Sequence, residues 1–187
     1  VKVAGGGKGM RAIKAHMDYI SRNGDVALEN EGGLIFDGKE AVRDLRDIWK
    51  FGQYGIPEES QRKEAFNIVL SMPPGTDLKS VTDAAREFAK SEFGGNFHYV
   101  FATHDDEKHP HVHLCVNAQG IDGTRLNPRK TDLQRWREGF AEALREHGIE
   151  ANATPRLLRN ARRRTRRQPA LHANASQRRG ESPEHTS

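Results

Sequence analysis

The segment HDDEKHPHVHL, residues 104–114, contains four of the nine histidines of the chain. Because side chains alternate between the two faces of a β-strand, His111 and His113 share one face of the predicted strand HVHLCVNA. Val112 and Leu114 share the other face, which we expect to pack against helices. Two imidazoles at this spacing lie about 7 Å apart along the strand. They could bind one ion if their rings lean together, so the segment predicts a metal site.

We expect the third ligand to be His104, at the end of the partner strand FHYVFATH in the same hairpin. His109, in the turn before Pro110, is the alternative third ligand. Asp106 could orient a ligand histidine from outside the coordination shell, or could simply be a turn residue. Three histidines leave open positions on the ion, as catalytic sites require. We expect a divalent ion, Mn²⁺ or Mg²⁺, with Zn²⁺ or Co²⁺ as alternatives, since imidazole softness and the abundance of Mg²⁺ favour different metals.

A second group of reactive side chains lies in GMRAIKAHMDYISRNG, which has the pattern of an amphipathic helix. Its apolar residues cluster on one side at three- and four-residue spacing: Met10, Ile13, Met17 and Ile20. Tyr19 falls roughly opposite, flanked by His16 and Arg22. A tyrosine placed there could attack a phosphate, although an ordinary half-exposed tyrosine gives the same pattern. Lys8, Arg11 and Arg22 could bind flanking phosphates, as could any surface lysine or arginine.

Four stretches in this order resemble a known family. They are VAGGGKGMRA, MDYISRNG, FNIVLSMPPGTD and FATHDDEKHPHVHLCVN. The last is similar to a motif written H-x-D-x-x-x-P-H-x-H, followed here by Asn117, for which we have no role. Together they resemble the conjugative relaxases of the mobilisation and T-DNA border endonuclease type, within the HUH endonucleases. The resemblance spans roughly residues 1–150.

The resemblance implies roles for individual residues. Tyr19 corresponds to the nucleophile, His104, His111 and His113 to the metal ligands, and Asp106 to an acid that supports them. It implies a ferredoxin-like antiparallel sheet with helices packed on one face. It also implies a single-tyrosine mechanism, because the chain's other tyrosines have no matching context.

The implied activity is a site- and strand-specific nick in single-stranded DNA at an origin of transfer, through a 5′-phosphotyrosine intermediate. The implied partners are accessory relaxosome proteins and a type IV coupling protein. The implied location is the bacterial cytoplasm, with possible transfer to a recipient cell. Two alternatives stay open. One is a metal-dependent phosphoesterase that uses bound hydroxide and does not need Tyr19; the other is a non-catalytic DNA-binding module with a structural ion.

The predicted elements place these residues on an α+β domain. Strands are predicted at AFNIVLSM, FHYVFATH and HVHLCVNA, and the resulting β-α-β-β-α order is most of a ferredoxin-like domain. Its first strand would lie at or before the glycine-rich segment 1–9. Further helices are predicted at EAVRDLRDIWKFG, at DLKSVTDAAREFAKSEF after Asp77, and at TDLQRWREGFAEALREHG. The last is predicted to have a Thr131–Gln134 capping box and an apolar stripe of Trp136, Phe140 and Leu144.

Charge divides the chain into a folded part and a basic tail. The net charge is +4, but residues 155–187 contain nine arginines and two glutamates, so the remainder is −3. We therefore expect a relaxase domain over 1–150 and an unfolded basic tail or linker over 151–187 that is attracted to polyanions. The single cysteine, Cys115, excludes an internal disulfide and fits a reducing compartment. No apolar run reaches about 18 residues, so we expect no membrane insertion.

Overall fold

The computed structural model describes residues 1–105 and 108–151 of the chain. Six strands form one antiparallel sheet: β1 (Lys2–Gly7), β2 (Leu28–Asn30), β3 (Ile35–Phe36), β4 (Ala65–Ser71), β5 (Tyr99–His104) and β6 (His111–Asn117). Their order across the sheet is β1-β4-β6-β5-β2-β3. Four helices accompany them: α1 (Met10–Ile20), α2 (Lys39–Lys50), α3 (Leu78–Phe93) and α4 (Lys130–Glu146). The α+β class with an antiparallel sheet is confirmed.

The glycine-rich segment at the start of the chain is itself a strand. β1 pairs with β4, with Gly7 opposite Ala65 and Lys2 opposite Val69. The first strand of the predicted order therefore lies within this segment. The register shifts between Val3 and Gly5, at a position where Gly5 has a φ of 138°. Glycine adopts such a backbone conformation without the steric cost that other residues would incur.

Helices cover both faces of the sheet, so the expectation that they cover one face is wrong. On one face, α3 and α4 pack against strand residues that include Ile68, Leu114 and Val116. On the other, α1 and α2 pack against four small or medium side chains: Ala65, Val100, Ala102 and Cys115. The alternation in β6 therefore buries both of its faces. Within residues 1–105 and 108–151, no helix is both long enough and apolar enough to span a membrane.

The start of α1 is capped by another part of the chain. Its first two N–H groups donate to the carbonyls of Pro57 and Glu58, at 2.7 and 3.2 Å. Gly9, with a φ of 110°, permits this approach, because a Cβ there would lie 2.4 Å from the carbonyl oxygen of Glu58. The apolar stripe Met10, Ile13, Met17 and Ile20 is buried, as predicted. The loop 57–58 therefore fixes the direction in which α1 crosses the sheet.

Elsewhere the sequence predicted that helices are present more accurately than it predicted where they begin, and it missed the short strands. The carboxylate of Asp77 accepts from the N–H of Ser80 at 3.0 Å, as expected of the residue that caps α3. The Thr131–Gln134 capping box is wrong: the helix is capped two residues earlier, at Arg129, whose N–H donates to Asp132 at 2.9 Å. β2 and β3, with three and two residues, were not predicted because such short strands have no detectable periodicity.

Candidate active site

The β5–β6 hairpin brings three of the predicted histidines together at one end of the sheet. His104 lies directly opposite His111 in the strand register. The ring centroid of His113 is 4.4 Å from that of His104 and 6.1 Å from that of His111. His104 and His113 are buried, with 3% and 9% of their surface exposed. The sheet thus holds three imidazoles at the end of the face that α1 covers.

Tyr19 lies in the last turn of α1, directly beside this cluster. Its ring centroid is 5.8 Å from that of His113 and 6.5 Å from that of His104, and both imidazoles lie edge-on to it. The tyrosine is 61% exposed. Its hydroxyl makes no hydrogen bond within residues 1–105 and 108–151. A phenol that adjoins the histidines and is open to solvent is accessible to a large substrate.

The end of α1 is tied to the cluster through His104. The last carbonyls of a helix lack the usual partner four residues on, and the carbonyl of Ile20 accepts instead from Nε2 of His104 at 2.7 Å. A carbonyl can only accept, so Nε2 bears the proton and Nδ1 has the free lone pair. Nδ1 of His104 is buried and makes no hydrogen bond to any described residue. This contact fixes the tautomer of one predicted ligand and the position of Tyr19 together.

The chemistry of this cluster fits a divalent ion. Burial, and then the charge of His104, lower the pKa of His113 to about 4, so His113 is neutral at pH 7, the form that binds metals. Tetrahedral or octahedral binding by imidazoles places ring centroids roughly 4.5–5 Å apart, close to the 4.4 Å between His104 and His113. Across the described residues, however, no three His, Cys, Asp or Glu side chains already have their donor atoms around one point. Binding would require a rotation of at least one ring, that of His111 being the most distant.

A fourth histidine, His16, adjoins Tyr19. The two rings are nearly parallel, at an interplanar angle of 23° and a centroid distance of 6.3 Å. Burial lowers the pKa of His16 to about 4. Its Nε2 atom is buried without a hydrogen-bond partner among residues 1–105 and 108–151. The sequence placed His16 beside Tyr19 by helical spacing, and that spacing was the only signal for it.

The remaining predicted site residues lie at different distances from the cluster. His109 is exposed, and its ring lies 6.4 Å from that of His111. Asp106 lies outside the described residues. Arg22 follows Tyr19 and is close enough for its charge to lower the pKa of His113. Lys8 and Arg11 lie at the other end of α1, since eight residues of helix span about 12 Å.

The electrostatic surroundings of Lys8 and Arg11 differ from those of Arg22. Arg11 forms an exposed ion pair with Glu59 at 3.3 Å. Lys8, Arg11, Glu58 and Glu59 line the same surface depression. Two carboxylates beside two cations leave little net attraction for phosphate there. Of the three predicted phosphate contacts, only Arg22 is brought to the histidine cluster.

The other two tyrosines occupy different environments. Tyr99 is 2% exposed, and burial, followed by the charges of Glu31 and Glu29, raises its pKa to about 12. Tyr54 is exposed, and its hydroxyl donates to the carbonyl of Ile121 at 3.1 Å. Asn117 ends β6, about 20 Å along the strand from His111. Its side-chain oxygen accepts from the N–H of Gln119 at 2.9 Å, a role in the following turn.

The fold and this cluster define a class of protein: an α+β domain with an accessible tyrosine beside histidines at the end of an antiparallel sheet. The family model described as "Relaxase: MobA/VirD2-like, nuclease domain" matches residues 19–149, well over half of the chain. The chain therefore belongs to the MobA/VirD2-like relaxase family and comprises its nuclease domain. The resemblance stated from the sequence motifs is confirmed.

Individual relatives agree with this family. The T-DNA border endonuclease VirD2 of Rhizobium radiobacter is 31% identical over 174 residues, which cover 83% of this chain and 41% of that protein. VirD2 of Agrobacterium fabrum is 29% identical over 173 residues, covering 83% of the chain and 38% of the relative. The chain thus spans about two fifths of the length of these relatives. A solved chain from "Molecular Basis of Vancomycin Resistance Transfer in Staphylococcus aureus" aligns over 76% of this chain and 94% of its own length, at 16% identity and a TM-score of 0.45.

Proposed function

We propose that this domain nicks single-stranded DNA at an origin of transfer by tyrosine transesterification, with Tyr19 as the nucleophile. The observation that carries the proposal is the position of Tyr19, which is 61% exposed and lies within 6.5 Å of two predicted ligand histidines. Membership of the relaxase nuclease family supports the same chemistry. Tyr99 is unsuited to the role because it is buried and has a raised pKa.

The reaction exchanges one phosphodiester bond for another. The Tyr19 oxygen attacks phosphorus in line and loses its proton, while the bond from phosphorus to the 3′-oxygen breaks. The products are a 5′-phosphotyrosine and a 3′-hydroxyl, which takes up one proton. Bond energy is retained in the phosphotyrosine, so the step is reversible and suits nicking followed by rejoining.

We propose His104, His111 and His113 as the residues that hold a divalent ion, with the lone pair on Nδ1 of His104 as one donor. When bound, the ion would supply stabilisation of negative charge at the scissile phosphate. Mn²⁺ or Mg²⁺ is the proposed ion, with Zn²⁺ or Co²⁺ as alternatives. The hydrogen bond from His104 to Ile20 keeps that ligand in the required tautomer. Asp106 is retained as a supporting acid on the strength of the family motif alone.

The wider setting follows from the family. VirD2 is named for T-DNA borders, and an origin of transfer is the corresponding substrate that we propose here. Plasmid mobilisation with accessory relaxosome proteins and a type IV coupling protein, in the bacterial cytoplasm, completes the proposal. Arg22 is the best-placed candidate for a phosphate contact near the nick. Lys8 and Arg11 are retained as weaker contacts farther away, because Glu58 and Glu59 offset their charge.

The test is the detection of protein–DNA adducts on a denaturing gel after incubation with labelled single-stranded oligonucleotides. We expect Tyr19→Phe to form none, a loss of at least about 10³-fold, while binding DNA and folding as the wild type does. The exposed ring loses only its hydroxyl, so stability should change by less than about 0.5 kcal/mol.

Tyr54→Phe is the matched control, an exposed tyrosine at the other end of the sheet, and it should form the adduct normally. If Tyr19→Phe cuts the same phosphate without an adduct, the hydroxide-dependent phosphoesterase is the better assignment. If the wild type binds oligonucleotides but never cuts, the non-catalytic DNA-binding module is.

A further inference from the structure

Exposed apolar side chains concentrate at the end of the sheet that lies opposite the histidine cluster. The described residues expose seven large apolar or aromatic side chains, one of which is Tyr19. Four others line a single cavity of about 290 Å³: Leu34, Ile48, Tyr54 and Ile121. Phe51, at the end of α2, is 73% exposed. We name these five residues the apolar patch. Contiguous exposed apolar surface of this kind marks interaction sites more often than isolated residues do.

A buried aromatic residue and a partly exposed carboxylate also line the cavity. Trp49 is 6% exposed, and its indole N–H makes no hydrogen bond within residues 1–105 and 108–151. Glu31 accepts from the N–H of Tyr99 at 3.2 Å and pairs with His98 at 2.6 Å, so its carboxylate is held at the cavity wall. The cavity is at the small end of the range for ligand sites. Its size and lining suit apolar side chains of a bound segment better than a free metabolite.

Charge around the apolar patch is unfavourable for nucleic acid. No lysine or arginine lines the cavity, whereas Glu31 does. On α2, Asp44, Ile48 and Phe51 follow one another at spacings of four and three, so they lie on one side of the helix. Neither Asp44 nor the nearby exposed Asp47 has an ion-pair partner in the described part of the chain. The apolar patch therefore has an acidic rim.

The four cations of α2 lie on its other side, and two of them form ion pairs within the described residues. Lys39, Arg43, Arg46 and Lys50 follow at spacings of four, three and four, opposite Ile48. Arg46 pairs with Asp18 of α1 at 3.2 Å, and Lys50 pairs with Glu58 at 2.7 Å. α2 therefore carries its cations on one side and has an apolar, acidic side that includes Ile48. Lys50 lies at the edge between the two sides, with its Nζ atom 5.4 Å from the centroid of the Phe51 ring.

We propose that the apolar patch is a docking surface for a basic amphipathic segment of a partner protein, which inserts apolar side chains into the cavity and places lysine or arginine against Asp44 and Asp47. The surface lies about 20 Å along β6 from His111. A bound partner would therefore leave Tyr19 accessible, and the inference is independent of the nicking chemistry.

The experiment is selection from a phage-displayed library of random dodecapeptides on the whole chain, followed by fluorescence anisotropy of the enriched peptides. We expect enriched peptides to combine apolar residues at three- or four-residue spacing with lysine or arginine. Ile48→Asp should weaken their binding at least tenfold, and Asp44→Asn with Asp47→Asn by roughly two- to fivefold. Ile35→Asp is the matched control: Ile35 is 57% exposed, against 60% for Ile48, and its neighbour in β3, Phe36, is the one that faces α2.

Several outcomes would overturn the proposal. They are an absence of peptides whose binding depends on Ile48, a dimer that Ile48→Asp dissociates in sedimentation velocity, and a loss of oligonucleotide binding in Ile48→Asp. The second result would assign the apolar patch to another copy of the chain, and the third to nucleic acid. Circular dichroism accompanies each variant, and Phe51→Asp replaces Ile48→Asp if the latter does not fold.

Discussion

The two faces of the sheet are packed with different kinds of side chain. Against α3 and α4 the sheet contributes to an aromatic core whose rings contact edge-on: Phe88, Phe93, Tyr99, Trp136 and Phe140. Against α1 and α2 it presents mainly small residues, among them Ala102 and Cys115. Small side chains allow α1 to lie close to the strands, so its last turn reaches the strand ends.

On this second face, the side chains along β5 and β6 are apolar in the middle of the sheet and are histidines at its end. Cys115 is followed toward the sheet end by His113 and His111, and Ala102 is followed by His104. Because residues two apart share a face, the histidines continue the buried rows into the site. One face of the sheet thus contributes mostly burial, while the other positions reactive groups. Substitutions on the two faces should therefore separate function from stability.

Among the substitutions that test this difference between the two faces, His113→Ala should have the largest effect. We expect a loss of metal affinity of more than about 100-fold, beyond what an outer-shell partner costs, together with loss of nicking. Metal content is measured by elemental analysis after dialysis. His147→Ala, at the residue that follows α4 and pairs with Glu87, is the control and should keep both properties. Unchanged metal content in His113→Ala would contradict the proposed ligand set.

Trp136→Ala tests the opposite face. Trp136 is fully buried, and its indole N–H donates to Glu92 at 2.8 Å. We expect a loss of roughly 3–5 kcal/mol in the free energy of unfolding, because the cavity cannot be refilled. The rate of adduct formation per folded molecule should stay within about twofold, since no group at the site changes. Denaturant titration and adduct assays measure the two quantities, and a selective loss of the adduct rate would break the proposed division between the faces.

A smaller effect is expected from pH at His16. Its pKa falls from 6.5 to about 4 on folding. Below pH 6.5 the unfolded chain therefore binds a proton that the folded chain does not, and stability decreases as the pH falls toward 4. His16→Phe removes this proton binding, so its unfolding free energy should decrease less between pH 7 and 4.5, by on the order of 1 kcal/mol.

This measurement requires a chelator, so that no metal contributes, and His109→Phe serves as an exposed control. An equal acid sensitivity in His16→Phe and wild type would show that burial of His16 does not destabilise the fold at low pH. Burial of this imidazole would then not distinguish the site-bearing face from the aromatic face.

The sequence was sufficient for those parts of the site that depend on local periodicity. Strand alternation placed His111, His113 and Cys115 on one face, and the hairpin placed His104 opposite. Helical periodicity placed Tyr19 off the buried stripe of α1. These inferences need only the geometry of one element or one hairpin.

The remainder depends on contacts between distant segments. The direction of α1 is set by carbonyls some 47 residues away in the chain, at Pro57 and Glu58, and no periodicity encodes that contact. The four helices were predicted, but their packing on both faces of the sheet was not, because Ala102 and Cys115 do not form an obvious apolar run. The capping error at Thr131 arose because Asp132 offers an equally suitable carboxylate two residues before Gln134, the residue expected in that position.

The hydrogen bond from His104 to the carbonyl of Ile20 has a consequence for local opening of the molecule. Helix ends fray more readily than helix interiors, and fraying of the last turn of α1 would displace Tyr19 and release Nε2 of His104 in the same event. The imidazole could then exchange tautomers while the phenol moved away. When this turn opens, the tyrosine and the histidine therefore lose their positions together. Amide hydrogen exchange in this turn would report directly on the fraction of molecules that are ready to react.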